Sequence, residues 1–137
     1  MGDQELQHRY NPTPTSVVMV DVDGLKAVND GSGHAAGDEL LRRCARLLAE
    51  SVRATDVAAR IGGDEFGVLV RHTNVEQAQE WLERLTASRV GCSDEGPLLH
   101  WSIGCASAEF HETIAAAAAA ADREMYEMKS RSRAARR

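Results

Sequence analysis

Val57-Ala58-Ala59-Arg60-Ile61-Gly62-Gly63-Asp64-Glu65-Phe66-Gly67-Val68-Leu69-Val70 is the stretch that decides how this chain folds. Apolar and β-branched residues fill Val57–Ile61 and again Phe66–Val70. The four residues between them are two glycines and two acids. The pattern predicts two strands joined by a tight turn at Gly62-Gly63-Asp64-Glu65.

Upstream of this hairpin, Leu40, Leu41, Cys44, Leu47 and Leu48 recur at helical spacing, which predicts a helix from Asp38 to about Val52. Before it, Val17-Val18-Met19-Val20 is a β-branched run bounded by Asp21, the signature of a buried strand. A polar loop carrying Gly24, Gly31, Gly33 and Gly37 is expected between the two, with room for one helical turn over Leu25–Val28. Downstream, Val75, Ala78, Leu82 and Leu85 mark a second helix. A strand follows within Leu98–Ala106, with Trp101 and Ile103 on one face. Ile114, Ala118, Ala121, Met125 and Met128 line a last helix, favoured further by its alanine run.

The order is strand, helix, strand, strand, helix, strand and a closing helix. Its first six elements spell the split βαβ pattern. The expected fold class is therefore α+β: a ferredoxin-like βαββαβ antiparallel sheet with helices packed on it and an additional C-terminal helix. In such a sheet the first strand lies beside the central hairpin. One domain is expected over residues 16–133. A loose lead-in, residues 1–15, precedes it, where Asn11-Pro12-Thr13-Pro14-Thr15 disfavours helix, and a basic tail, residues 134–137, follows.

The 137 residues are 43% hydrophobic and 27% charged, an ordinary globular mixture for one compact domain. A net charge of −5 argues against a general nucleic-acid binder. The longest apolar run, Ile114–Ala121, is too short to cross a bilayer, and no charged-then-apolar leader opens the sequence. Cys44, Cys92 and Cys105 have no metal-ligand spacing and read as small buried hydrophobes in a reducing compartment. A cytoplasmic location is expected.

Two acidic clusters remain. Asp21 and Asp23 end the first strand, and Asp64 and Glu65 sit in the hairpin turn. Either pair alone reads as residues that favour water. Brought together by the sheet, converging carboxylates repel, and hard divalent cations relieve that repulsion through oxygen coordination. Such a site can hold a metal ion against a triphosphate and activate a hydroxyl nucleophile. Adjacent glycines also let a ligand approach the backbone closely.

Gly62-Gly63-Asp64-Glu65-Phe66 is the signature that names the GGDEF family of diguanylate cyclases. Asp21-Val22-Asp23-Gly24-Leu25-Lys26-Ala27-Val28-Asn29-Asp30 resembles that family's Asp-x-Asp-x-(Phe/Leu)-Lys-x-(Ile/Val)-Asn-Asp motif, and Gly33-His34 and Gly37-Asp38 continue it in register. The resemblance runs from about Val17 to Arg133. It implies a nucleotidyl-cyclase or polymerase-palm-like domain that condenses two GTP into cyclic di-GMP, releases pyrophosphate, and needs Mg²⁺ or Mn²⁺. By it, Asp21, Asp64 and the backbone carbonyl of Val22 hold the metal. Asp64 is also the general base, Glu65 supports the acidic site, and Lys26 stabilises the reacting phosphate. Asn29 and Asp38 read the guanine edge, while Lys129 and Arg133, one helical turn apart, contact the phosphates. His34 is taken as structural.

Arg53 and Asp56 form an Arg-x-x-Asp five residues before Gly62, the offset of the family's product-inhibition site, with Arg84 as a further contact. A surface ion pair is the plainer reading of the same two residues. Catalysis is expected from a homodimer, one GTP on each domain, so an isolated weakly active monomer would work through transient or partner-driven pairs. An upstream sensory module is expected as a partner. Two features depart from the family pattern. No Asp-x-Leu-Thr-Gly-Leu segment precedes Asp21, and Ser132-Arg133-Ala134 stands for Gly-Arg-Asn. The alternatives are a catalytically weak or inactive receptor for GTP or cyclic di-GMP and, in another class, an RNA-binding module of the same strand order. An RNA-binding module needs aromatic residues on the sheet to stack bases, and the predicted central strands carry no aromatic pair.

Overall fold

The computed structural model describes residues 14–91, 99–109 and 112–135. Most of the expected lead-in, together with Cys92, Leu98, Arg136 and Arg137, lies outside them. The elements run β1 (Thr15–Val22), α1 (Leu25–Ser32), α2 (His34–Ser51), β2 (Val57–Arg60), β3 (Glu65–Arg71), α3 (Val75–Gly91), β4 (Trp101–Ala108) and α4 (Ile114–Ala135). One four-stranded sheet has the order β2-β3-β1-β4, antiparallel throughout. This is the expected ferredoxin-like α+β arrangement.

Alternation along β1 sorts the two faces. Val18, Val20 and Val22 join Phe66, Val68 and Val70 of β3, Trp101 and Cys105 of β4, and the Leu40–Leu48 stripe of α2 in the larger core. Ala78, Trp81 and Leu85 bring α3 onto the same face. Val17 and Met19 point the other way and pack with Ala117, Ala121 and Met125 of α4. Burying each of these fully covered valines stabilises the fold by about 1.5–3 kcal/mol.

The glycine-rich segment after β1 departs from expectation. It is two helices, and α2 begins at His34 rather than Asp38. Gly24 and Gly33, at φ 70° and 87°, hold left-handed turns before and between these helices. Gly37 lies inside α2 because a Cβ there would sit 1.8 Å from the Asn29 side-chain oxygen. These glycines serve helix packing as well as chain reversal, so their density misreads as loop. His34 is exposed at the start of α2.

Each helix has a local reason to begin where it does. Asn74 and Gln77 cap α3 reciprocally: the Gln77 N–H donates to Asn74 Oδ1 at 2.8 Å and the Asn74 N–H to Gln77 Oε1 at 2.9 Å. Thr113 caps α4 by accepting the Ala116 N–H at 3.0 Å. Cys44 and Cys105 are buried free thiols, pushed by burial to about 12 and about 11.

Candidate active site

The register of β1 sets Asp21 opposite Glu65 on one side and Ser102 on the other. One step further, the Val22 N–H donates to the Asp64 carbonyl at 2.9 Å, which ties the hairpin turn to the end of β1. The turn is braced from within. The Ile61 N–H donates to the Glu65 carbonyl at 2.8 Å, and Arg60 Nε donates to the carbonyls of Gly62 and Gly63 at 3.1 Å each. A Cβ added at Gly62 or Gly63 would meet nothing within 4 Å, and neither glycine is left-handed. The packing of the domain therefore does not demand them. They leave the outer surface of the turn bare, where a ligand can reach the backbone.

Asp21 is only 4% exposed, and its Oδ1 lies 2.8 Å from the Lys129 ammonium. Burial raises the Asp21 carboxyl above the ordinary carboxylate range. The Lys129 hydrogen bond opposes that rise, and the nearby charges of Asp64 and Asp23 add to it. Asp23, also buried, accepts the Ser102 hydroxyl at 2.9 and 3.0 Å. Burial likewise raises the Glu65 carboxyl, helped by the charge of Asp122 and by the hydrogen bond that protonated Glu65 donates to that carboxylate. The acids expected to converge are close enough to repel one another.

Beside them opens a cavity of about 400 Å³ lined by Val22, Asp23, Gly24, Leu25, Lys26, Ala27, Asp30, Asp64, Lys129 and Arg133. Five residues singled out in the sequence, Val22, Lys26, Asp64, Lys129 and Arg133, thus meet in one place. Asp21 joins them through Lys129. The donor set suits magnesium, a hard ion that binds through one or two carboxylates and completes its shell with phosphate oxygens and water. Asp21, Asp64 and the Val22 carbonyl are hard oxygens, and the Lys129 ammonium on Asp21 marks a place that already holds a cation. Among the described residues no three His, Cys, Asp or Glu side chains form a ready metal cage, so the protein supplies only part of a shell.

Asn29 and Asp38 do not line this cavity. Asn29, on α1, lies against Gly37 of α2, and its side-chain oxygen is buried with no hydrogen-bond partner among the described residues. Asp38 is exposed one residue further along α2. It lines a separate trough of about 560 Å³ between α2 and β2, with Leu41, Ala45, Arg60 and Phe66 among its walls.

Arg53, Asp56 and Arg84 do come together, with His72, Thr73, Gln77 and Trp81, around a cavity of about 360 Å³. His72 there has a left-handed φ of 53°, uncommon outside glycine. Asp56, with a side chain 2% exposed, accepts the N–H groups of Arg53 and Arg71 at 2.9 Å each and the Arg53 guanidinium at 3.2 Å. Burial alone would push its carboxyl up. These hydrogen bonds outweigh burial and hold it below the ordinary range. Asp56 is therefore a structural clamp between the end of α2 and the end of β3, more than the surface ion pair suggested by sequence. Arg53 also donates to Thr73 Oγ1 at 3.0 Å and to the Arg71 carbonyl.

Sequence reasoning missed Arg60, Ser102 and Asp122. Asp122 was legible in principle, since it precedes Lys129 by two helical turns and so shares its stripe on α4. Ser102 and Arg60 act through tertiary register and a turn contact, for which no local pattern exists.

Comparison with known proteins identifies the relatives of this chain. The family model described as diguanylate cyclase, GGDEF domain, matches residues 2–135. Diguanylate cyclase DosC of Escherichia coli K12 is 35% identical over 127 residues, covering 88% of this chain and 27% of its own length. Probable diguanylate cyclase DgcE of the same organism is 55% identical over 73 residues, 53% of this chain and 7% of its own length. The chain thus spans well under a third of these curated relatives. Among solved structures, the GGDEF domain of PA1120 from Pseudomonas aeruginosa aligns with TM-score 0.80 at 30% identity, covering 93% of this chain and 82% of that one. A microbial GGDEF domain described in a new mode of interaction with cyclic di-GMP aligns with TM-score 0.76 at 31% identity, covering 93% and 80%. With the intact Gly62–Phe66 signature set beside Asp21 in the same sheet, the chain belongs to the diguanylate cyclase GGDEF domain family.

Proposed function

We propose that this domain is a metal-dependent diguanylate cyclase that joins two GTP molecules, one on each of two facing domains, into cyclic di-GMP. The observation that carries this reading is the 2.9 Å bond from the Val22 N–H to the Asp64 carbonyl. It draws the acidic turn to the end of β1, at the wall of a cavity that also holds Lys26, Lys129 and Arg133.

In this reading Asp64 takes the proton from the 3′-hydroxyl of the GTP opposite. The new O3′–Pα bond forms as the Pα–O bond to pyrophosphate breaks, and the second half repeats the step. A divalent ion held by Asp21, Asp64 and the Val22 carbonyl would neutralise phosphate charge and ease deprotonation of the hydroxyl. Lys26 meets charge that grows on the α-phosphate, and Lys129 and Arg133 hold the remaining phosphates. Glu65 keeps the pocket acidic. Asn29 and Asp38 read the base, an amide and a carboxylate that match the donor and acceptor groups of the guanine edge. Residues 16–133 make up the catalytic unit, homodimerisation completes it, and an upstream sensory module would drive the pairing. The supply of GTP and the two buried free thiols favour the cytoplasm. No helix among the described residues is long and apolar enough to span a membrane.

Product inhibition is assigned to the cavity of Arg53, Asp56 and Arg84, where a guanidinium can stack on guanine and fork onto phosphate. The same cavity keeps alive a second reading, a module that binds GTP or cyclic di-GMP without turnover. RNA binding is disfavoured. α4 packs on the sheet face opposite α2 and α3, and the strand positions pointing that way, among them Val17, Met19, Gly67, Leu69, Gly104 and Ala106, include no aromatic residue. Incubation of concentrated domain with GTP and Mg²⁺ or Mn²⁺, followed by chromatography, tests the proposal. Cyclic di-GMP from the parent and none from Asp64→Ala is expected. Tight product binding with no turnover in the parent would replace cyclase with receptor.

A further inference from the structure

We infer that Lys129 is the resident counterion of Asp21 in the nucleotide-free domain, and that it couples the divalent ion and the triphosphate so that neither binds well without the other. The inference rests on the reading of the 400 Å³ cavity as a nucleotide site and adds the order in which its charges are exchanged.

The Lys129 ammonium is 2.8 Å from Asp21 Oδ1, with side chains 15% and 5% exposed. A carboxylate so far from water keeps its charge only when it is paired, because burial strips its hydration. Its acidic neighbour Asp23 accepts the Ser102 hydroxyl, whereas Asp21 meets the Lys129 ammonium. A divalent ion arriving alone must therefore displace a cation that already neutralises its best ligand. The displaced ammonium would then stand a few ångströms from the incoming charge, a like-charge contact that weakens the binding. The absence of a three-carboxylate cage among the described residues leaves no other side-chain set to compensate.

The triphosphate changes this balance. Lys129 lines the cavity together with Arg133 one turn along α4, so a phosphate seated there gives the ammonium a new partner. The helix itself need not move. Its backbone is wedged on β4, where a Cβ at Gly104 would come 1.7 Å from the Ala121 carbonyl oxygen. The four-carbon stem of lysine supplies the swing, carrying a compact ammonium with three rotatable donors. Asp21 is freed for the metal as Lys129 turns to phosphate. Coupling of this kind is reciprocal: the nucleotide tightens the metal by the factor by which the metal tightens the nucleotide.

The test is a Mn²⁺ titration followed by electron paramagnetic resonance, on the full chain, with and without a GTP analogue carrying a methylene between its α and β phosphorus atoms. In the parent, Mn²⁺ alone should bind weakly and the analogue should tighten it. In Lys129→Met, Mn²⁺ alone should bind roughly tenfold more tightly than in the parent, and the gain from the analogue should shrink correspondingly. Lys129→Gln, which keeps a donor for Asp21 without the charge, is measured beside it and should move the same way. Should either variant unfold, added Mn²⁺ is expected to raise its melting temperature more than that of the parent. Unchanged or weaker metal binding in both variants, while the parent still takes up metal with the analogue, would overturn the counterion role. Failure of the parent to bind metal with the analogue would instead overturn the nucleotide-site reading beneath it.

Discussion

Asp56 shows how one residue can carry a structural task and a proposed binding task at once. Its two oxygens clamp the turn after α2 to the end of β3 through the N–H groups of Arg53 and Arg71. Because the folded carboxyl is held below its unfolded value of 3.8, its contribution is full above that value and is lost as pH falls through the folded one. Asp56→Asn is therefore expected to cost about 2 kcal/mol at neutral pH, a charge-assisted hydrogen-bond loss. The deficit should close as pH drops well below 4, as followed by urea melts of parent and variant. A deficit that stays constant with pH would remove the charge from the account. At this scale the sequence was legible where a motif has a fixed spacing, as at Asp21, Lys26 and Asp64. It was silent where a partner arrives through the fold, as with Ser102 on Asp23 or Asp122 on Glu65.

Among the elements, strands and long helices followed directly from periodicity, because β-branched runs and leucine stripes are local signals. The segment from Gly24 to Gly37 did not, since its glycines answer to a neighbouring helix and to left-handed breaks instead of to a loop. The site depends on one further close approach. α4 carries both Lys129 and Arg133, and it reaches the sheet only because β4 has glycine at Gly104. A methyl group there would strike helix backbone, which cannot step aside as a flexible side chain could. Gly104→Ala should destabilise the domain by about 3 kcal/mol, read by chemical denaturation. It should also weaken binding of the GTP analogue, as Lys129 and Arg133 are lifted from the cavity wall. Normal stability in this variant would mean that α4 sits further from the sheet than the contact of Gly104 with the Ala121 backbone requires.

Across the whole molecule, the cavity of Lys26 and Asp64 and the cavity of Arg53 and Asp56 lie at opposite ends of the sheet. Glu65, at the acidic end of β3, and Arg71, at the Asp56 end, are six steps apart, roughly 20 Å of strand. Product bound at Arg53 and Arg84 would not touch the triphosphate of the same domain, so inhibition should be noncompetitive with GTP. Arg84→Ala, on the exposed side of α3, should weaken cyclic di-GMP binding in calorimetry while initial turnover of GTP persists; competitive inhibition, or unchanged product affinity, would place that site elsewhere. The sequence set the first strand beside the central hairpin, yet it could not say that α4 would deliver a lysine onto Asp21, because that contact joins residues more than one hundred positions apart. The central claim, that the carboxylates joined at the β1–hairpin junction run phosphoryl transfer on GTP, is met most directly by phosphorus NMR of concentrated domain with GTP and Mg²⁺. A phosphodiester signal growing alongside two equivalents of pyrophosphate, and absent for Asp64→Asn, is the predicted result; equal growth of that signal in Asp64→Asn would contradict it.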